Sequence, residues 1–399
     1  MADPAAQSPF IRAPEASKSI FLTIALAACG PLAAGVVFFG WRALITVGLS
    51  VLGCMAIEWG YYQVRRTPAL LGRSHALLTG LLLGLTLPPF VPWYVPLVGA
   101  AFAILVGKAL FGGVGHFLWQ PALVGRLAVA VLFAPPLLSA NLLNPPQWPV
   151  LAKNTRIAGD IKNVATDFTY RQWRQTLAPP GTDALQRQRP REILRKLTRR
   201  GEDPPQSIVD TLCHMPPGWD LLCGAHGGGI GETCTLIILV AGLYLVYRNF
   251  FRARLAGMFL LAAAVTAAVA PIRAADGTGW QWLPVVSEGL EVGFVYVNYH
   301  LACGEIMLAA WFLATEMTSR PVTAPGQAIF GIICGVLAIL IRLYVPTVPI
   351  PAYAAVLGAN TFTPLLDTAI QPRFLGQRRW WQRILPRSRP PALGQRSSL

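Results

Sequence analysis

The stretch HALLTGLLLGLTLPP, His75 to Pro89, is apolar almost throughout, opens on a histidine and closes on a proline pair. It is too short to cross a bilayer as one straight helix, which takes ~20 residues. A second stretch of the same kind, HLACGEIMLAAWFLATEM, runs from His300 to Met317. The segments after the two are also alike. GAAFAILVGKALFGG (99–113) and WQPALVGRL (119–127) come after the first; GQAIFGIICGVLAILIRLY (326–344) and ANTFTPLLDTA (359–369) come after the second. Each series is a short span, then a Gly-rich helix ending in a base (Lys108, Arg342), then a helix with a proline inside it (Pro121, Pro364). Five spans per copy is an odd number, so two copies lie in opposite sense in a membrane. Inverted repeats with interrupted helices put small-molecule sites near the midplane, between the copies. Non-helical backbone at that depth must line a cavity or be buried in protein.

The rest of the chain agrees with a membrane setting. It has 399 residues, 54% hydrophobic and 13% charged, against about 25% charged in a soluble domain. Its mean hydropathy is +0.49. The reading is an all-α integral membrane protein of about ten transmembrane helices in two inverted five-helix repeats. The spans fall near 19–40, 43–63, 75–90, 93–111, 117–140, 230–248, 254–272, 297–315, 326–345 and 352–370. The chain then divides into an N-terminal tail (1–18), repeat 1 (19–140), a polar loop (141–219), repeat 2 (220–370) and a basic tail (371–399). The first eighteen residues have no cleavage-site pattern and read as a cytoplasmic tail.

The net charge of +15 needs no nucleic acid, because Lys and Arg collect on cytoplasmic segments and face anionic lipid. With both termini inside, the inner segments carry Arg65, Arg66, Arg73, Arg248, Arg252, Arg254, Arg320 and the tail, whose seven arginines face no acid. The loop 273–296 outside holds Asp276, Glu288 and Glu291 against Arg273. The 141–219 segment dissents, with twelve Lys and Arg against seven Asp and Glu, but loops longer than ~60 residues translocate largely regardless of charge. Within it, QRQRPREILRKLTRRGEDPPQS reads as a solvated loop with one short basic helix, or as a docking surface for a partner or for lipid headgroups. The seven cysteines form no CxxC or Cys₄ pattern, and no HExxH occurs. No metal site is expected. No GxGxxG follows a strand, so a dinucleotide site is not expected either.

Four ordered blocks carry a specific resemblance: TGLLLGLTLPP, FAILVGKALFGGVGHFLWQPALVGR, GGGIGETCTLIILVAGLYLVYR, and HLACGEIMLAAWFLATE followed by SRPVTAPGQAIFGIICGVLAILIRLY. Over roughly 70–380 the chain resembles the RnfD/NqrB family. These are the large flavin-carrying membrane subunits of Rnf and sodium-pumping NADH:quinone oxidoreductase complexes. The resemblance implies a fold related to urea and ammonium channels, electron transfer through flavin coupled to ion movement, and a bacterial inner-membrane location. It also implies partner subunits of an Rnf/Nqr-like complex that supply electron entry.

In that family FMN is esterified to a threonine in a motif resembling Asp-x-x-Ser-Gly-Ala-Thr, in the loop between spans five and six. Here DIKNVATD puts Asp160, Ala165 and Thr166 at the matching spacing, with Asn163, Val164 and Asp167 where the family has serine, glycine and proline. Thr166 is thus the candidate for covalent FMN. A second flavin, riboflavin or FMN, is expected in the repeat core. GGGIGET, at the entry to span six, resembles the family's Gly-Ser-Ile-Gly-Glu-Thr. Gly228, Gly229, Gly231 and Thr233 are expected beside the flavin phosphate or ring, since glycines allow close approach and a helix start offers free N–H groups. The alternative is a turn that merely lets helices pack closely. Glu232 is expected to cap the helix start or orient a base. Arg126 ranks highest among the bases, as a partner for a flavin phosphate or for a buried acid, of which Asp367 is the candidate. Lys108 and Arg342 read as snorkelling side chains, and His75, His116 and His300 as helix-end hydrogen bonders. No residue reads as catalytic by itself. Two rival readings stay open: a channel or transporter for a small polar solute, and a scaffold subunit that has lost the covalent flavin.

Overall fold

The computed structural model describes residues 17–65, 72–134, 142–143, 185–186, 194–198, 208–213, 218–224, 228–273, 279–287, 289–302, 304–345 and 347–370. The described chain is mostly helical. Helices α1 (Ser17–Phe39), α2 (Trp41–Arg65), α3 (Gly72–Thr86), α4 (Tyr94–Ala101, continued by a π-helix Phe102–Ala109) and α5 (Pro121–Leu132) form the first half. Two short helices, α6 (Ile208–Cys213) and α7 (Gly218–Cys223), come from the polar loop. The second half holds α8 (Thr235–Tyr247), α9 (Ala253–Val269), α10 (Leu290–Ala302), α11 (Glu305–Leu308, continued by a π-helix Ala309–Leu313), α12 (Ala324–Tyr344), α13 (Pro351–Thr361) and α14 (Thr363–Ala369). Two antiparallel pairs of two-residue strands lie outside this framework: Leu142–Leu143 with Leu185–Gln186, and Ile272–Arg273 with Trp280–Gln281.

By length and composition, Lys18–Phe39, Trp41–Arg65 and Ala324–Tyr344 can each cross a membrane. Leu290–Ala302 and Glu305–Leu313 meet the same test only together, bent by 58°. The break falls at Gly304, whose φ of 34° is a backbone conformation that favours glycine. Large apolar side chains stay exposed along these helices, among them Leu26, Val240, Tyr247 and Leu261. In a membrane protein such surface faces lipid. Trp41, Trp93, Trp280 and Trp282 are exposed near element ends, as aromatic residues are at bilayer interfaces.

Close packing depends on small residues. In α3, a Cβ on Gly80 would lie 2.6 Å from Val51 Cα and one on Gly84 would lie 2.8 Å from Val47 Cα, so α3 rests directly on α2. In α12, Gly331 and Gly335 let that helix lie against the Leu255 and Phe259 carbonyls of α9. Both pairs are Gly-x-x-x-Gly, the spacing that brings helix backbones together without a hydrophobic drive. One apolar core runs through both halves. Contacts between the halves are made by α1 with α8 and by α5 with α13.

Several boundaries differ from the sequence reading. Pro121 does not interrupt a helix. It starts α5, with Gln120 as N-cap accepting from the Leu123 N–H at 2.7 Å. Proline suits this position because its missing N–H would be unpaired there anyway. Pro351 starts α13, and Pro364 is the second residue of the short α14, so none of the three lies in a helix interior. Span six becomes helical only at Thr235, and residues 228–234 are turn and extended chain.

The described part of the basic insertion is more than a solvated loop. Leu194, Leu197, Ile208, Leu212 and Leu221 form a second, smaller core with Tyr296 and Tyr299 of α10. Arg195 Nε donates to the Arg342 carbonyl at 3.1 Å, and its Nη2 donates to the Val348 carbonyl. The Thr198 hydroxyl donates to the Leu343 carbonyl. The last carbonyls of a helix have no partner within it, and here the loop supplies donors to the end of α12.

Candidate functional site

The glycine turn opens from the polar loop into the seam between the halves. The Ile230 N–H donates to the Leu87 carbonyl at 2.9 Å, and the Gly231 N–H to the Leu85 carbonyl at 2.7 Å. The turn thus pairs with the chain that leaves α3, the other interrupted segment. A Cβ on Gly231 would lie 2.7 Å from Leu85 Cβ, and one on Gly229 2.9 Å from the Thr86 carbonyl oxygen. Only glycine fits this approach.

Glu232 is buried at the centre of the turn. Its Oε2 accepts from the Gly229 N–H at 2.7 Å, and its Oε1 accepts from the Tyr353 hydroxyl at 2.5 Å. It closes the turn and ties it to the first turn of α13. It does not cap α8, whose N-cap is Cys234 without a side-chain bond. Arg126 lies alongside, its Nε donating to the Thr86 carbonyl at 3.0 Å. It does not pair with Asp367, which accepts from the Val322 N–H at 3.0 Å.

The amides at Gly229, Ile230 and Gly231 are therefore occupied by protein, and a carboxylate stands among them. This arrangement does not fit a phosphate cradle. Thr233 is buried, and its hydroxyl has no hydrogen bond among the described residues. It is a side-chain donor in this turn without a partner among the described residues. Asp160, Ala165 and Thr166 lie outside the described residues. Among the described residues no group of His, Cys, Asp and Glu could hold a metal.

Two further pairs sit in the apolar interior. His75 Nε2 and Glu316 Oε1 are 3.1 Å apart, and the Thr79 hydroxyl lies 3.2 Å from His75 Nδ1. This pair joins α3 of the first half to the segment after α11 in the second. Lys108 Nζ donates to Glu58 Oε1 at 2.6 Å, with side chains 2% and 5% exposed. Lys108 therefore does not snorkel. Nor does Arg342, which is fully buried and donates from Nη1 to the His300 carbonyl at 2.7 Å. His75, in the first turn of α3, is a hydrogen-bonding group as expected, and its partner Glu316 lies across the seam.

The π-helices help to place two of these groups. Gly113 donates to Lys108 and Ala314 to Ala309, each five residues back. A π turn adds a residue to the helical turn and re-aims the chain beyond it. Lys108 and, just beyond the second π-helix, Glu316 turn inward at these points. Tyr353 was the partner hardest to foresee. Its signal is the proline two residues before it, which marks a helix start.

These observations define a class: a polytopic membrane protein of helices, two of its segments interrupted, with ionisable groups paired in its interior. The chain belongs to the NQR2, RnfD, RnfE family, whose profile matches residues 5–376. It is 32% identical over 377 residues to the D subunit of the ion-translocating oxidoreductase complex of Yersinia enterocolitica, covering 94% of this chain and 98% of that one. The protein of the same name from Yersinia pseudotuberculosis is 30% identical, with the same coverage of both chains. That from Halorhodospira halophila is 29% identical over 93% of this chain and 95% of its own.

Proposed function

We propose that this chain is the membrane subunit of an ion-translocating electron-transport complex, the assembly for which its relatives are named, and that it carries electrons on bound flavin. The His75–Glu316 pair carries the ion-translocating part of the reading. Ionisable groups at membrane depth are costly, face the interior and mark ion or proton routes. Here such a pair joins the two halves, with Glu58–Lys108 and Glu232–Tyr353 as further polar stations. The fold in this reading is ten spans in two inverted repeats. It sits in a bacterial inner membrane with both termini in the cytoplasm, among partner subunits and lipid.

FMN on Thr166, with Asp160 and Ala165 completing its motif, rests on the family motif and on its place in the loop between spans five and six. Bound flavin supplies one- and two-electron redox chemistry. A second flavin, riboflavin or FMN, belongs to the same proposal, and Thr233 and Arg126 are the polar side chains at the seam that would hold it. Gly228, Gly229 and Gly231 act there by close approach, not as phosphate donors.

Two experiments test the parts separately. The chain, co-expressed with a flavin transferase and denatured in SDS, gives a fluorescent band that Thr166→Ala darkens; a dark wild-type band beside a glowing control removes Thr166. In the whole complex, Glu316→Gln lowers ion transport more than electron transfer. Equal loss of both, or loss of neither, removes the pair from the ion route.

A further inference from the structure

At the end of α8 and the starts of α9 and α12 lies a cavity of about 550 Å³. Arg252, Arg254 and Arg320 line it, and among the described residues no acid does. Arg252 and Arg320 come from two connections far apart in sequence, 248–252 and 314–323, and Arg254 from the first turn of α9; the fold brings them to one place. The first connection is a tight turn. Asn249 takes a φ of 61°, and the Asn249 and Phe250 amides donate back to Val246 and Leu245. Arg252 is thereby held at the cavity and does not swing free on a long loop.

Arg320 is the informative member. Its Nη1 is buried and makes no hydrogen bond among the described residues. Burial, and then the neighbouring Arg252, push its pKa down to about 10, so it stays charged at neutral pH. Of the acids close to it along the chain or at its cavity wall, Glu316 lies against His75 and Asp367 is engaged with the Val322 amide. A partly buried guanidinium next to like charge, with no counter-ion among the described residues, is unfavourable unless an anion joins it. Arginine clusters suit phosphate oxygens because the planar fork binds them in pairs. Three helices with lipid-facing apolar surface end here, which sets the cavity at headgroup depth. Val246, Met317 and Val322, the last 77% exposed, give it an apolar rim.

We propose that this cavity is a binding site for a phosphate-bearing anion, held by Arg252, Arg254 and Arg320. A phospholipid headgroup and a free phosphate share this chemistry, and the apolar rim suits the lipid. The site is separate from the glycine turn and does not depend on flavin.

The test uses the full chain with whatever subunits co-purify, stripped of lipid in detergent. Thermal stability is read on adding phosphatidylglycerol in mixed micelles, phosphatidylcholine in mixed micelles, or inorganic phosphate. Phosphatidylglycerol raises the Tm of the wild type more than phosphatidylcholine does. That shift falls at least roughly threefold in Arg320→Gln, as expected when a ligand that stabilises only the folded state loses its site. A shift produced by inorganic phosphate and lost in the same variant assigns the site to a soluble phosphate. An equal response in wild type and variant, or none, overturns the proposal. If Arg320→Gln does not assemble, the double variant Arg252→Gln/Arg254→Gln, at two exposed side chains, decides by the same criteria.

Discussion

Glu232 illustrates how much one side chain in the seam controls. A carboxylate taken out of water needs each oxygen paired. It has one partner in its own turn, the Gly229 amide, and one across the packing, Tyr353. Tyr353→Phe keeps the ring and removes the cross-packing partner. The cost of leaving a buried acceptor unpaired is about 1–3 kcal/mol, so the Tm of the purified protein falls. An unchanged Tm means that Oε1 finds water or another donor. The glycines of the turn permit a sharper comparison. Gly231→Ala drives a methyl group to 2.7 Å from Leu85, and overpacking of this kind costs about 1–3 kcal/mol. A methyl group added at Gly257, in α9, would have nothing within 4 Å, and alanine is the better helix former. Gly257→Ala is therefore neutral or stabilising while Gly231→Ala is destabilising. Equal effects would remove close approach as the reason for the glycine.

At the scale of elements, the sequence showed its helices more clearly than their partners. Hydropathy marks α1, α2 and α12, because each is long, apolar and bounded. The interruption of the eighth span is legible too, since Gly304 and Glu305 stand inside an apolar run. The pairing of Lys108 with Glu58 was not legible. A base near a helix end is normally free to reach the interface, and the π-helix that turns Lys108 inward leaves no residue pattern. Nothing in the sequence said that the amides of the glycine turn would be taken by Leu85 and Leu87 either, since those bonds join segments well over a hundred residues apart. The Glu58–Lys108 pair can be tested as a unit. Removing one partner of a buried ion pair costs about 3–5 kcal/mol, whereas removing both charges is often close to neutral. Lys108→Met alone should therefore sharply reduce the amount of folded protein, and adding Glu58→Gln should restore most of it. If the double variant is as poor as the single, Lys108 matters for something other than neutralising Glu58.

For the whole molecule the open quantity is orientation, and the positions of the arginines bear on it. By sequence the polar loop argued against placing it outside, because its charge is positive. At least one of its bases has a local reason to be there: Arg195 caps the carbonyl end of α12, and a base bound to a helix end does not report on topology. By contrast, Arg252, Arg254 and Arg320 gather at one cavity where apolar helices end, as expected of charge held at the cytoplasmic face. The start of α12 lies at that cavity and its end lies under Arg195, so the two basic regions are at opposite ends of one membrane-length helix. Only one of them can be cytoplasmic. The short-loop arginines and the acid-free tail favour the cavity side. A fluorescent-protein reporter fused after Leu399 should then fluoresce, because it folds in the cytoplasm, and alkaline phosphatase fused within the polar loop should be active outside it. The reverse pattern would invert the molecule and put Thr166 on the cytoplasmic side, away from the compartment in which the proposed flavin attachment takes place.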